Sequence, residues 1–276
     1  MTSHDVVQRV RRTLGTRAVG HTGTLDPFAT GLLVVLIGPA TRLARFVEGQ
    51  DKTYLAAARL GVTTDTDDLT GRVLETSPVG GAVDANRVAE VLGEFIGPQL
   101  QRPPQYSAKH VGGERSYQKA RRGEAVELTP VGVTVSRIEV VECRLPLVTF
   151  RVVVSAGTYV RAVARDLGER LGVGAHLSSL RREAIGSLHV EDATSLEHLS
   201  ARSLISAHAV LTDIPTVELD PAGRVAVSHG RAVVDSGSAG QRAGGVTVAL
   251  LGDGKLVAIA RAENGWLHPS VVLSNP

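Results

Sequence analysis

The sequence predicts an α/β (α+β) fold with a small β domain at its carboxyl end, and three observations lead to this prediction. Apolar residues recur with helical periodicity over 84–96. Two β-rich runs, 131–141 and 147–155, lie on either side of a short Arg-Leu-Pro turn. From Ile214 onward the chain is rich in glycine and in short β-rich runs. With 276 residues, 43% of them hydrophobic, the chain can form one large domain with a buried core and one small domain.

Composition limits the class of protein. Cys143 is the single cysteine, which excludes an internal disulfide and a multi-cysteine metal site and fits a reducing compartment. The chain opens without a signal-peptide pattern, and no apolar run approaches the ~20 residues of a membrane span. We therefore expect a cytoplasmic protein that has no membrane partner. The net charge of +2 permits nucleic-acid binding without requiring it.

In chain order, the first predicted element is a helix over 2–15, with Thr2 or Ser3 as its capping residue and Gly15 at its end. The next three predicted elements are a buried strand, a short helix and an alternating strand, over 32–37, 39–47 and 52–61. The amphipathic helix over 84–96 follows, capped by Asp84. Its inward-facing residues are Val88, Val91, Leu92, Phe95 and Ile96.

The stretch from 20 to 31, GHTGTLDPFATG, has the composition of a loop that bears functional groups. Its glycines allow the backbone to turn tightly and to approach a ligand. Pro27 biases Asp26 away from helical dihedral angles, so the Asp26 carboxylate should be held on a rigid turn. Composition alone favours the simpler interpretation of a tight connection in which Asp26 is a turn former.

Two further stretches are chemically distinctive. The turn at 64–71 carries three carboxylates in four residues, which could suggest magnesium, but it lacks a calcium-loop pattern and we expect no metal there. Over 101–123, six cations are interleaved with Tyr106 and Tyr117 among prolines and glycines. Cations bind phosphates and aromatic rings stack on unpaired bases, so this stretch predicts an RNA-gripping insertion, with a solvated surface loop as the alternative.

A glycine turn at 155–158 leads into another predicted helix, which we expect Thr158 to cap. Tyr159 and Arg161 would then lie near the helix N-terminus, where amide groups and a guanidinium together suit an anion. A position on the surface of the helix would explain Arg161 equally well, because most arginines are exposed. The residue types alone leave these two interpretations of Arg161 open.

Several of these stretches match motifs in family order, and together they resemble the TruB family of tRNA pseudouridine synthases. The motifs are Gly-His-x-Gly-x-Leu-Asp-Pro-x-Ala-x-Gly at 20–31, Lys-x-Tyr at 52–54, Thr-Asp-Thr-x-Asp at 64–68, Pro-Pro-x-Tyr-Ser-Ala at 103–108, Ser-x-Gly-Thr-Tyr-x-Arg at 155–161 and Leu-x-Arg at 180–182. Val163 stands where the family usually has leucine. The resemblance covers most of residues 2–190, and its motifs are specific.

The resemblance implies roles for individual residues. Asp26 would be the catalytic residue, Arg161 its ion-pair partner, and Tyr54 would lie against the target base, although a core tyrosine is the more ordinary explanation of Tyr54. Asp68 would help to hold Arg161, which in turn would favour the ionised form of Asp26. Further substrate-binding residues implied are Tyr159 in the same pocket, Leu180 against the uracil, and Lys109 and Arg115 in the insertion.

His21 lies five residues before Asp26. It is a candidate to fill the stack left by a flipped base, and a loop histidine that binds backbone is nearly as good an explanation. His176 has neither cysteine nor acidic spacing for a metal, so we expect a packed or hydrogen-bonded histidine.

The resemblance also implies the architecture. Residues 1–212 would form the catalytic domain, with a mixed, largely antiparallel sheet and a central cleft; about 100–125 would be a thumb over the RNA, and 214–276 a PUA-like RNA-binding domain. The residue that usually precedes Lys109 is absent, which leaves the register of the thumb open. Family chains begin with a strand and a Lys-Pro-x-Gly turn before Thr-Ser-His-Asp, whereas Met1 directly precedes Thr2 here, so we expect that an N-terminal segment is missing.

The implied reaction converts uridine to pseudouridine at position 55 in the T stem-loop of tRNA. The uridine C1′–N1 bond breaks and C1′ is rejoined to C5, so no cofactor is needed. Asp26 would act at C1′, either as a nucleophile or by stabilising positive charge. The paired uridine must first be flipped out. No obligate protein partner is implied. The alternatives are a tRNA-binding folding chaperone with weak or no catalysis and a carboxylate-based nucleosidase.

Overall fold

The computed structural model describes residues 1–106, 110–111, 114–115, 122, 128–235 and 245–273. Their helices are α1 (Ser3–Leu14), α2 (Ala44–Glu48), α3 (Ala85–Gly93), α4 (Val160–Arg170) and α5 (Pro221–Ser228). Short 3-10 helices cover Gly38–Leu43, Val190–Asp192, Ala201–Ser203 and Ala207–Val210. Within the described ranges, none of the helices has both the length and the apolar composition that crossing a membrane requires.

The strands fall into two groups. Those before residue 190 are β1 (Val19–His21), β2 (Thr30–Gly31), β3 (Val35–Ile37), β4 (Lys52–Leu60), β5 (Val62–Thr64), β6 (Val73–Thr76), β7 (Gly97–Gln101), β8 (His110–Val111), β9 (Glu114–Arg115), β10 (Val131–Arg144), β11 (Leu147–Val154), β12 (Ala175–Ile185) and β13 (Leu188–His189). The later strands are β14 (Thr216–Glu218), β15 (Val233–Val234), β16 (Thr247–Gly252), β17 (Lys255–Glu263) and β18 (Trp266–Val272).

The main sheet has the order β13-β12-β4-β11-β10-β7, and all neighbours in that order are antiparallel. The seventh strand, β2, pairs in parallel with β12. The prediction of a mixed, largely antiparallel sheet is therefore confirmed. Inward-facing residues of β4, β11 and β12 pack against α3 and α4 in one hydrophobic core. This core places α4 and the centre of the sheet side by side.

A second sheet, β14-β16-β17-β18-β15, forms the carboxyl-terminal part of the described chain, as the glycine-rich pattern predicted. It does not stand apart from the first half. Ala249 and Ile259 share a buried cluster with Leu32, Leu36 and Leu43, which follow the Gly20–Gly31 loop. The Arg42 Nη1 also donates to the carbonyl of Val272 over 2.7 Å. The domain boundaries 1–212 and 214–276 stay predictions.

The first helix forms as its sequence predicts. Thr2 and Asp5 make a reciprocal capping box, and Gly15 ends the helix in the left-handed region at φ 62°. The predicted strand over 52–61 and the hairpin of β10 and β11 are also present.

Three local predictions are wrong, each for a physical reason. The run 32–37 is a strand only at Val35–Ile37, because the backbone of Leu32 bonds to Arg182 in β12, whereas Val35–Ile37 pairs with β1. Ile96 is 54% exposed because α3 ends at Gly93, before the helical periodicity reaches it. Thr158 does not cap α4.

The N-cap of α4 is Tyr159, which has no side-chain cap. The Thr158 hydroxyl instead donates to the Ser155 carbonyl over 2.9 Å and so stabilises the preceding turn.

The start of β12 passes so close to α4 that a side chain cannot fit between them. A Cβ on Gly168 of α4 would overlap backbone atoms of Gly174 and Ala175, whereas a Cβ on Gly93 of α3 would meet no atom within 4 Å. Gly168→Ala should therefore lower the free energy of unfolding by about 2 kcal/mol through overpacking. Gly93→Ala, the matched control, should raise it by up to about 1 kcal/mol through helix propensity. Urea denaturation measures both, and equal effects would contradict the proposed close approach.

Candidate active site

The Asp26 loop is fixed at several points. The carbonyl of Asp26 accepts a hydrogen bond from the Ala29 amide over 2.9 Å, which closes a turn through Pro27. The amide of Leu25 donates to the Ser3 hydroxyl of α1 over 3.0 Å. The Asp26 carboxylate therefore lies on a rigid turn, as the proline predicted.

Arg161, in the first turn of α4, reaches this carboxylate. Its Nη2 donates to Asp26 Oδ1 over 3.1 Å, and its Nε lies 3.0 Å from Oδ2 in ion-pair contact. Its Nη1 donates to the Thr66 carbonyl over 3.0 Å and lies 3.5 Å from Asp68 Oδ2. Nη2 also donates to the Tyr106 carbonyl over 3.0 Å. The Arg161 guanidinium thus connects its own helix, α4, to three other stretches of chain.

Asp68 is held from its other side. Its Oδ1 accepts hydrogen bonds from the Thr66 hydroxyl over 2.8 Å, the Thr70 hydroxyl over 2.6 Å and the Thr70 amide over 2.9 Å. These donors fix the carboxylate so that Oδ2 faces Arg161. The geometry agrees with the implied role of Asp68 as the residue that helps to hold the arginine.

Exposure differs sharply among the three charged groups. The side chains of Arg161 and Asp68 are 6% and 7% exposed, whereas that of Asp26 is 31% exposed. Burial raises the pKa of Asp26, and the nearby Asp68 raises it further, while Arg161 lowers it. The expected effect of Arg161 is therefore present, but burial outweighs it. The arrangement leaves one carboxylate of the cluster open to a ligand.

The sheet beside the loop carries the apolar part of the site. Tyr54 of β4 and Leu180 of β12 belong to one buried cluster, and Phe28 and Ala29 of the Asp26 loop pack against it. Tyr159 is half-buried, and its backbone is fixed by Gln101, whose side-chain amide bonds both its N–H and its carbonyl. Tyr54 and Leu180 therefore lie in the core against which the two residues after Pro27 pack, and Tyr159 directly precedes the helix that carries Arg161.

The remaining predicted residues are placed less completely. His21 lies in β1 on the amino-terminal side of the loop, and its Nδ1 is buried with no hydrogen-bond partner among the described residues. Burial, together with the charge of Arg182, lowers the pKa of His21. Lys109 lies outside the described residues, and Arg115 is placed only as the last residue of β9.

His176 is hydrogen-bonded, one of the two fates that its context predicted. Its Nδ1 lies 2.8 Å from the Val62 carbonyl. Across the described ranges, no group of three or more His, Cys, Asp or Glu side chains could hold a metal ion. The three carboxylates of the acidic turn each face a different partner: Asp65 the Arg72 amide, Asp67 Arg165, and Asp68 Arg161.

Sequence reasoning included Arg182 in the Leu-x-Arg motif but gave it no role, and in the structure it ties together the two ends of the Asp26 loop. Its Nε donates to the Leu32 carbonyl over 2.8 Å and its Nη2 to the Gly23 carbonyl over 3.1 Å. Arg182 is buried, as is Leu180 two residues earlier on the same strand face. Strand alternation therefore contained the signal, because it places an arginine on the face that must be buried.

Comparison with solved structures defines the class of protein. A structure described as an H/ACA RNP bound to a substrate RNA containing 2′-deoxyuridine matches with a TM-score of 0.76 and 25% identity, over 99% of this chain and 82% of that one. An archaeal box H/ACA sRNP Nop10-Cbf5 complex matches with a TM-score of 0.75, also at 25% identity, over 100% and 83% of the two chains. The fold is that of a pseudouridine synthase.

Two family models identify the family. TruB family pseudouridylate synthase (N terminal domain) matches residues 11–160, and tRNA pseudouridylate synthase B C-terminal domain matches 161–218. The tRNA pseudouridine synthase B of Thermobifida fusca (strain YX) is 43% identical over 99% of this chain and 94% of its own length. That of Aquifex aeolicus (strain VF5) is 38% identical over 99% and 96%. The chain belongs to the TruB family.

The site predicts that its two aspartates contribute unequally to stability. Asp68→Asn removes a buried charge that has three donors and a guanidinium around it, so the free energy of unfolding should fall by about 3 kcal/mol. Asp26→Asn should cost much less, because Asp68 and two carbonyls still satisfy Arg161, and burial already disfavours the Asp26 charge. Urea denaturation of both variants at neutral pH tests this prediction. Equal losses would mean that Asp68 is not the main anchor of Arg161.

Proposed function

We propose that this protein isomerises uridine to pseudouridine at position 55 in the T stem-loop of tRNA, with Asp26 as the catalytic residue. The observation that carries the proposal is the half-open Asp26 carboxylate held by a buried guanidinium at 3.0–3.1 Å. Curated relatives at about 40% identity over nearly the whole chain bear the name tRNA pseudouridine synthase B, which supports tRNA as the substrate. No observation favours the chaperone alternative.

The reaction breaks the C1′–N1 bond of the flipped uridine and joins C1′ to C5. The C5 proton leaves to solvent, and N1 takes up a proton, so the composition of the nucleotide does not change. Asp26 serves at C1′ in its ionised form, as a nucleophile or as the charge that stabilises the electron-poor sugar. Arg161 fixes the direction of the carboxylate and leaves its outer edge free. Neither role draws on a cofactor.

The other residues would bind and move the base. Tyr54 would stack on the uracil and use its phenol oxygen in proton transfer. Leu180 and Tyr159 would line the pocket from β12 and from the start of α4. His21, kept neutral by its lowered pKa, would fill the stack that the flipped base leaves.

The rest of the chain would bind the RNA. Lys109 and Arg115 belong to the proposed thumb at about 100–125, whose cations would bind the phosphates of the T stem. Residues 1–212 would form the catalytic domain, and 214–276 a PUA-like domain that extends the RNA surface. We place the enzyme in the cytoplasm, where its tRNA substrate is made, and propose no obligate protein partner.

A tritium-release assay tests the catalytic assignment. With tRNA labelled at C5 of uridine, Asp26→Asn should lower the rate of release by at least about a thousandfold, because an amide can neither attack C1′ nor carry negative charge. Asp84→Asn is the matched control. It makes the same chemical change at the N-cap of α3, where asparagine caps equally well, and should keep the wild-type rate. Near wild-type release by the Asp26 variant would disprove the assignment.

The product distinguishes the alternatives. Mapping of pseudouridine should find it at position 55, and a transcript with cytidine there should contain none. Binding of tRNA without any pseudouridine would point to a chaperone, and free uracil in the supernatant to a nucleosidase.

The raised pKa of Asp26 predicts where activity is lost in acid. Only the ionised carboxylate is active, so the single-turnover rate should fall as the pH is lowered through the pKa of Asp26. Since burial raises that pKa, the acid limb should lie above the value of about 3.9 for an unperturbed aspartate. The measurement is the single-turnover rate against pH, restricted to conditions where circular dichroism shows native protein. A limb below the ordinary value would contradict the inferred balance between burial and Arg161.

A further inference from the structure

Helix α4 carries a second arginine, Arg165, which is half-buried and lies one turn after Arg161. Arg165 Nη1 donates to Asp67 Oδ2 over 3.0 Å, and its Nε donates to Asp166 Oδ1 over 2.8 Å. Its Nη2 donates to the carbonyl of Arg102 over 3.0 Å. The side chain is only 18% exposed. The described partners of Arg165 include none of the side chains proposed to contact the uridine, so the mechanism leaves it without a role.

Asp67, the partner of Arg165, lies between the two residues of the acidic turn that bind Arg161. Thr66 before it supplies the carbonyl and Asp68 after it supplies the carboxylate. Asp67 itself is in the left-handed region at φ 59°. Residues other than glycine are uncommon there, although aspartate and asparagine adopt it more often than most. The Asp67 carbonyl accepts from the Leu177 amide over 3.0 Å. The Leu177 amide and Arg165 therefore hold Asp67 through its backbone and through its side chain.

The two arginines also bind the two ends of one segment. Arg165 donates a hydrogen bond to the carbonyl of Arg102, and Arg161 donates one to the carbonyl of Tyr106. This five-residue segment follows β7 and forms the start of the stretch proposed to grip RNA. Since Arg161 Nη2 bonds both Tyr106 and Asp26, a shift of the segment acts directly on the donor that orients the carboxylate.

Another arginine of the same helix, Arg170, forms an ordinary exposed ion pair with which the Arg165–Asp67 pair can be compared. Arg170 lies 3.2 Å from Glu94, and its guanidinium stacks 4.1 Å from the Phe95 ring. Both members of that pair are more than 40% exposed. Solvent screens such a pair, and it joins only α4 and α3. The Arg165–Asp67 pair is different, because it is shielded from solvent and adjoins the partners of Arg161 on both sides.

We propose that Arg165 is a positioning residue. It holds the acidic turn through Asp67 and the segment 102–106 through the Arg102 carbonyl, and both then keep Arg161 in the position that orients Asp26. The inference rests on the proposed function. It separates two links: Asp67 connects Arg165 to the turn, and Arg102 connects it to the segment. An ion pair that merely stabilises the fold would contribute to unfolding free energy and to nothing else.

Three variants separate these links. Arg165→Gln removes both, and Asp67→Asn removes only the link to the turn, with a residue that tolerates the left-handed region. Arg170→Gln is the control on the same helix. Each is assayed for tRNA affinity and for single-turnover pseudouridine formation at saturating enzyme, with the folded fraction measured by circular dichroism.

We expect the single-turnover rate to fall by roughly 10- to 100-fold in Arg165→Gln and in Asp67→Asn, since small misplacements of a catalytic group have effects of this size. The tRNA Kd should rise about fivefold in Arg165→Gln, which loses one hydrogen bond to the segment, and stay unchanged in Asp67→Asn. The acid limb of the rate should move to higher pH in both, because a displaced Arg161 lowers the pKa of Asp26 less than a well-placed one does. Arg170→Gln should match the wild type in all three.

The outcomes distinguish this inference from the proposed function. If the wild type forms no pseudouridine, the proposed function fails. If the wild type is active and folded Arg165→Gln keeps its rate within twofold and its acid limb in place, then Arg165 is only a structural residue and the inference fails. A rise in Kd of equal size in Asp67→Asn would overturn the separation of the two links.

Discussion

The site depends on one buried positive charge that has to be neutralised. Removing a guanidinium from water is costly unless charges and hydrogen bonds replace its hydration. Arg161 obtains these from Asp26, Asp68 and the backbone carbonyls of Thr66 and Tyr106. Together these four partners come from three different stretches of chain. The need to satisfy this one group therefore brings the loop, the acidic turn and the segment after β7 to the first turn of α4, where the site forms.

The surrounding fold supplies rigidity to each partner. The main sheet holds Arg182, which fixes both ends of the Asp26 loop, and α1 holds that loop from the other side through Ser3. The contact between α4 and the start of β12 at Gly168 fixes the helix that carries Arg161. Asp26 stays partly open, whereas the side chains of Arg161 and Asp68 are buried. The result is a preorganised carboxylate whose free edge faces solvent.

Much of this arrangement could be predicted from the sequence. Helical periodicity and capping residues predicted α1 and α3, and β alternation predicted β4 and the hairpin of β10 and β11, because these elements depend on local patterns. The pairing of Asp26 with Arg161, 135 residues away, is present in the structure but could be inferred only from the resemblance of motifs. No local pattern contains a contact at that separation.

The rest could not be predicted, since it depends on packing. The break at Leu32 arises because its backbone joins one sheet and the residues after it join another. The role of Arg182 was not predicted because arginine is usually exposed, and only its place on a buried strand face reveals that role. The support that Arg165 gives to Asp67 is likewise a product of tertiary contacts between helix and turn.

The cluster shared by the two sheets has a mechanical consequence. Leu32, Leu36 and Leu43 come after the Asp26 loop in the chain, yet they are buried partly by Ala249 and Ile259 near the far end of the chain. Detaching the second sheet would expose this apolar cluster to water and would remove packing that holds the chain just after the Asp26 loop. The second sheet therefore supports the chain behind this loop as well as adding surface, and loss of its packing would disturb the position of Asp26.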